Sequence, residues 1–102
     1  ISNKPIQNGD KINWRGVYTC FVTPIADDGD VLCYEGVVDG YPAIFIDTRK
    51  ACEKSITLPA YLNPEKYEVI DPNDGIRVTP EGTQGLRISA DKAGGCVLSF
   101  RK

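Results

Sequence analysis

Apolar and polar positions along this chain fall into short runs, cut at near-regular intervals by Gly, Pro, Asp and Asn. Runs rich in β-branched and aromatic residues cover 11–15, 17–23, 31–38, 43–47, 55–58, 67–70, 76–79, 86–90 and 96–101. Between them stand Asp27-Asp28-Gly29-Asp30, Asp39-Gly40, Asn63-Pro64, Asp71-Pro72-Asn73-Asp74-Gly75, Glu81-Gly82 and Gly94-Gly95. Short strands separated by turn chemistry at this spacing predict antiparallel β-structure. The expected fold is all-β: an antiparallel β-sandwich of about seven to nine strands, Ig-like in general architecture. Residues 1–10 are polar and read as an N-terminal arm, leaving 11–102 as a single sandwich domain.

Because successive side chains of a strand point to opposite faces, the runs can be sorted into sides. Tyr18, Cys20 and Val22 share one side, opposite Val17, Thr19, Phe21 and Thr23. Ile44 and Ile46 lie together, opposite Ala43, Phe45 and Asp47. Cys96, Leu98 and Phe100 face away from Val97, Ser99 and Arg101, and three apolar residues on one side predict a final strand inside the sheet with partners distant in sequence. Strands with one apolar and one polar side predict one wet face.

Asp28-Gly29 predicts a hairpin between 17–23 and 31–38, since a type I′ turn needs positive φ twice, and Asp39-Gly40 leads on into 43–47. A two-residue loop at Asp28-Gly29 would set Cys33 opposite Pro24 and Cys20 opposite Val37. Residues 47–54 are the one helical candidate, with Asp47 as cap. A short central helix would fit an OB-like barrel, the alternative fold.

At 102 residues, 41% apolar and 25% charged, the chain has the make-up of one globular domain. Its net charge is −2 and its pI about 5.0, with Lys and Arg scattered. That leaves no phosphate-neutralising patch, so nucleic acid is not an expected partner. No apolar stretch approaches the roughly 20 residues of a membrane span. The chain contains no methionine and opens on Ile1, which predicts a processed mature protein or part of a longer chain.

Cys20, Cys33, Cys52 and Cys96 are an even number in a small chain, which predicts two disulfides and an extracellular, periplasmic or secreted location. Four buried thiols are the plainer alternative. With no Cys-x-x-Cys spacing and no histidine, neither a metal site nor a cofactor is expected.

The lack of histidine also removes the usual general base, so no Ser-His-Asp or Cys-His arrangement can be assembled. Paired carboxylates are the remaining route to catalysis or calcium binding, through Asp27, Asp28 and Asp30 or through Asp71 and Asp74. These residues are equally what turns select for local hydrogen bonding, and no enzyme is expected. Trp14, beside Arg15 and near Tyr18, is the candidate ligand site: an aromatic face can stack on the C–H groups of a sugar. The alternative is that Trp14 plugs the end of the sandwich.

From Asp39 onward the sequence resembles the C-terminal β-sandwich modules appended to glycoside hydrolases and polysaccharide lyases. The residues that carry the resemblance are Asp39-Gly40-Tyr41-Pro42-Ala43-Ile44-Phe45-Ile46, Lys54-Ser55-Ile56-Thr57-Leu58-Pro59, Lys66-Tyr67-Glu68-Val69-Ile70-Asp71 and Gly94-Gly95-Cys96-Val97-Leu98-Ser99-Phe100. The resemblance implies a non-catalytic accessory domain with a glycan as partner. The cysteines, which stand outside that pattern, favour instead a secreted module that binds another protein, such as an adhesin, an inhibitor or a toxin-like subunit.

Overall fold

The computed structural model describes residues 6–14, 16–27, 29–71 and 75–101. Nine strands follow the nine apolar runs: β1 (Asp10–Trp14), β2 (Tyr18–Asp27), β3 (Val31–Val38), β4 (Tyr41–Thr48), β5 (Cys52–Thr57), β6 (Glu68–Asp71), β7 (Ile76–Glu81), β8 (Gly85–Ala90) and β9 (Gly94–Ser99). Every pairing is antiparallel. Six strands form one sheet in the order β1-β2-β3-β4-β9-β6 and three form a second in the order β5-β8-β7. The sheets stack as an antiparallel β-sandwich and do not close into a barrel.

No helix forms among the described residues, which overturns both the helix expected over 47–54 and the OB-like alternative. Asp47 is extended, in register with Leu32 on one side and Gly95 on the other. A lone helix of eight residues cannot hold itself together in water, and here it competes with ladder bonds on both sides.

The turn chemistry succeeds at one hairpin and misleads at another. Between β3 and β4 a two-residue loop joins Val38 to Tyr41, with Asp39 at φ 53° and Gly40 at φ 83°, the left-handed pair that a type I′ turn requires. Between β2 and β3 the loop is longer, because Asp27 pairs with Leu32. That longer loop sets Cys33 opposite Ala26 rather than Pro24, and a register shift between Pro24 and Ala26 then brings Tyr34 opposite Pro24. Pro24 stands beside that irregularity, where its missing N–H costs the ladder least. Cys20 pairs with Ile12 of β1, not with Val37.

Strand β2 changes partner along its length. Residues 18–22 pair with β1, and the pairing with β3 begins at Thr23. The β1–β2 ribbon is thereby released from β3 and packs over the outer face of the large sheet. The central strands are consequently buried on both sides, against the expectation of one wet face. Cys33, Ile44, Ile46, Cys96 and Leu98 face the small sheet in one core cluster. Tyr34, Phe45 and Val97 face the ribbon in a second, with Trp14 and Val22. The small sheet does have a wet face, on which Arg87 pairs with Glu53 and Glu81, and Arg77 with Asp91. The final strand lies between β4 and β6, inside the sheet, as its three apolar residues predict.

Ribbon and sheet approach closely at Gly36. A Cβ there would lie 2.9 Å from Cys20 Sγ and 2.9 Å from Phe45 Cε1. Gly36→Ala is therefore expected to destabilise the protein by about 1–3 kcal/mol in urea unfolding. Adding Cys20→Ala should recover part of that loss, giving less than the sum of the two single changes. Additive losses would show that the ribbon does not lie on Gly36.

Candidate functional site

Trp14 is not a solvent-facing platform. It is 4% exposed, its indole N–H donates to Asp47 Oδ1 at 3.1 Å, and its ring meets Phe45 edge-on at 5.9 Å. Tyr18, half-buried, packs edge-on against the same Phe45 at 5.9 Å. Arg15 lies outside the described residues. Trp14 is therefore not free to stack on a ligand as expected: Trp14 and Tyr18 pack in the outer core, between the ribbon and the large sheet, rather than plugging the end of the sandwich.

Asp47 anchors this cluster by accepting two bonds, the second from the Tyr34 hydroxyl at 2.8 Å. Burial, and then the neighbouring Asp47 charge, pushes the titration of Tyr34 far above the usual phenol range. The same two causes raise the thiol of Cys33. Both groups stay protonated in the fold at a pH where the unfolded chain would ionise them. Above about pH 9 the unfolded chain therefore binds fewer protons, and stability should be complete below that pH and fall steadily above it in pH-resolved melts. Asp47→Ala should cost about 1–3 kcal/mol for each donor left without an acceptor, since neither Trp14 nor Tyr34 has ready access to water.

No disulfide joins Cys20, Cys33, Cys52 and Cys96 in the structure, which corrects the expected pair of bridges. Cys33 and Cys96 are both in register with Ile46 from opposite sides. That puts them two strands apart, roughly 9–10 Å, beyond the ~7 Å that a disulfide spans. Cys20 points to the outer face beside Gly36 while Cys33 points inward, and Cys52 sits in the small sheet opposite Ala90. In a thiol titration the denatured protein should yield all four groups, whereas Cys33 and Cys96, at 0% exposure, should stay unreactive in the folded state. Fewer than four thiols under denaturing conditions would contradict this arrangement.

Two of the turn carboxylates have described partners. Asp27 accepts the Gly29 N–H at 3.3 Å and Asp30 pairs with Lys50 at 3.7 Å. Asp28 and Asp74 lie outside the described residues. Among the described residues, no group of three or more His, Cys, Asp or Glu side chains gathers as a metal site. No helix among them is long and apolar enough to cross a membrane.

A groove of about 1150 Å³ opens where three separate segments meet. Tyr41 and Pro42 come from the start of β4, and Tyr61, Leu62, Asn63, Lys66 and Tyr67 from the loop between β5 and β6. Glu68 opens β6, and Phe100 and Arg101 follow β9. The loop is tied down from below: Leu58 and Leu62 are buried in the inner core, and the Gln84 side-chain amide donates to the carbonyls of Pro59 and Leu62. Within the loop the Lys66 N–H bonds to the Asn63 carbonyl at 3.0 Å and the Glu65 N–H to Asn63 Oδ1 at 2.8 Å. Tyr67 packs on Phe100 at 5.8 Å and donates its hydroxyl to the Val78 carbonyl at 3.1 Å. Burial is the main cause that raises its titration. The Phe100 N–H bonds to the Pro42 carbonyl at 2.9 Å, closing the far wall.

On that fixed base two rings stand out into solvent, Tyr61 at 66% exposure and Tyr41 at 42%. The Arg101 guanidinium lies 5.9 Å from the centre of the Tyr41 ring and 3.3 Å from the Glu68 carboxylate. The arrangement offers flat aromatic faces beside charged and amide groups, with no assembled nucleophile and base. These residues are scattered over 60 positions between 41 and 101 and share no spacing motif. The one local signal is a tyrosine on a loop bracketed by Pro59 and Pro64, too stiff to bury it. No protein-family model, curated protein or solved structure matches this chain.

Proposed function

We propose that this is a non-catalytic carbohydrate-recognition domain and that the groove between Tyr41 and Tyr61 is its binding site. The observation that carries the reading is the pair of exposed tyrosine rings above a floor held by buried leucines and by Gln84. An aromatic face meets the C–H groups of a sugar ring, while neighbouring polar groups take its hydroxyls. Asn63 and Lys66 line the groove beside the rings and would take the second task. The resemblance to accessory modules of glycoside hydrolases and polysaccharide lyases supports the same reading, with the domain serving as part of a longer chain. An extracytoplasmic location follows from the nature of the ligand; four unbridged cysteines give it no support.

A second reading, a protein-binding module, is favoured by Val17 and Phe21. They are 64% and 67% exposed on the outward side of the β1–β2 ribbon. Exposed apolar side chains grouped in this way mark protein contacts. Affinity electrophoresis through polysaccharide gels separates the two. Tyr61→Ala should weaken glycan retention at least tenfold, about 1.4 kcal/mol, with an unchanged melting temperature because the ring buries little. Phe21→Ser should leave retention intact. Retention that survives Tyr61→Ala and Tyr41→Ala would overturn the proposed site.

A further inference from the structure

We infer that the groove takes an acidic glycan, one that carries carboxylates on its sugar rings. The inference rests on the carbohydrate reading above and narrows it. The protein as a whole is acidic, with a net charge of −2, yet the charged residues lining the groove are Lys66, Arg101 and Glu68. Cations therefore outnumber anions at the one place where exposed tyrosines gather. Glu68 does not cancel both, because its carboxylate is engaged by Arg101 at 3.3 Å. Lys66 forms no ion pair among the described residues, unlike Lys50, Arg77 and Arg87, which are each matched to an acid. A ligand carboxylate would give the Lys66 ammonium its counter-charge.

Arg101 is suited to the same task. Its guanidinium carries N–H donors in a planar fork, and a carboxylate matches that fork with two parallel bonds. One nitrogen is directed to Glu68, and the guanidinium carbon lies over the Tyr41 ring at 5.9 Å, so the group is oriented before a ligand arrives. Glu68 is thus a positioning residue, and Arg101 with Lys66 would contact the sugar acid. A uronate ring stacked on Tyr41 or Tyr61 would bring its carboxylate towards these two cations, whereas a neutral sugar would leave both charges unused. Because the pairs are exposed, the attraction should weaken as ionic strength rises.

The test compares binding of the full 102-residue chain by affinity electrophoresis and calorimetry to polygalacturonate, alginate, fully methyl-esterified polygalacturonate, neutral galactan and dextran sulfate. Retention is expected on at least one of the two uronate polymers. Methyl esterification or Lys66→Gln should weaken it at least tenfold, and Arg101→Gln comparably, with unchanged melting temperatures. Tighter binding to neutral galactan or the methyl ester, insensitive to Lys66→Gln, would overturn the acidic-glycan inference and leave the carbohydrate reading standing. Equal retention on dextran sulfate would overturn it as mere ion exchange. Retention on none of the five would remove both.

Discussion

Phe45 is the residue on which the architecture turns. It sits on the outer face of β4, fully buried, and meets three other rings: Trp14 and Tyr18 edge-on and Tyr34 stacked at 5.7 Å. Two of those rings belong to the β1–β2 ribbon, so their packing is what keeps the ribbon on the sheet. Asp47, one pleat further along β4, completes the attachment by accepting from Trp14 and Tyr34. Aromatic contacts of this kind add to the area they bury, and the two hydrogen bonds fix the rings' orientation. The result is a sheet whose middle strands are dry on both sides. A chain of this size thereby gains two apolar clusters where a plain sandwich would have one, and no disulfide joins its four cysteines.

That rigidity reaches the groove by way of the inner core. Leu58 and Leu62 are drawn into the space between the sheets, and Gln84 at the β7–β8 turn bonds to the loop that carries them. Pro59 and Pro64 restrict the loop further. Tyr61 is left with nowhere to bury, while Tyr41 is held at the rim because β4 begins there. Recognition surfaces gain affinity when the cost of ordering them is met during folding. Here the sandwich orders the loop, and the bonds from Lys66 and Glu65 to Asn63 complete it.

Most strands were legible because turn residues bound them, as with Asp39-Gly40, whose left-handed φ values end β3 in one step, whereas Arg49-Lys50-Ala51 carries no such residue and the start of β5 was read as helix. The interior place of β9 was legible from Cys96, Leu98 and Phe100. Two-sided burial was not. Alternation identifies one apolar face, but whether the other is covered depends on a ribbon whose path is set by a change of partner at Thr23. Trp14 misled for the same reason: its neighbours in sequence are Arg15 and Tyr18, its neighbours in space Phe45 and Asp47. The register of β2 against β3 was lost at the turn, where Asp27 pairs with Leu32 across a loop longer than two residues, and an irregularity between Pro24 and Ala26 shifts it again. The groove was hidden because its walls come from three segments joined only by the topology, with β9 bringing Arg101 back to Tyr41.

The central claim is that binding takes place on the tyrosine groove and not on the Trp14 cluster. The most direct measurement is a titration of the isotope-labelled protein with uronate oligosaccharides, followed amide by amide in nitrogen–proton NMR spectra. The account predicts shifts confined to the amides of Tyr41, residues 61–63, 65–68 and 100–101, with the Trp14 indole N–H resonance unmoved because its donor is already held by Asp47. Shifts centred on Trp14 and Tyr18, with the groove silent, would contradict it.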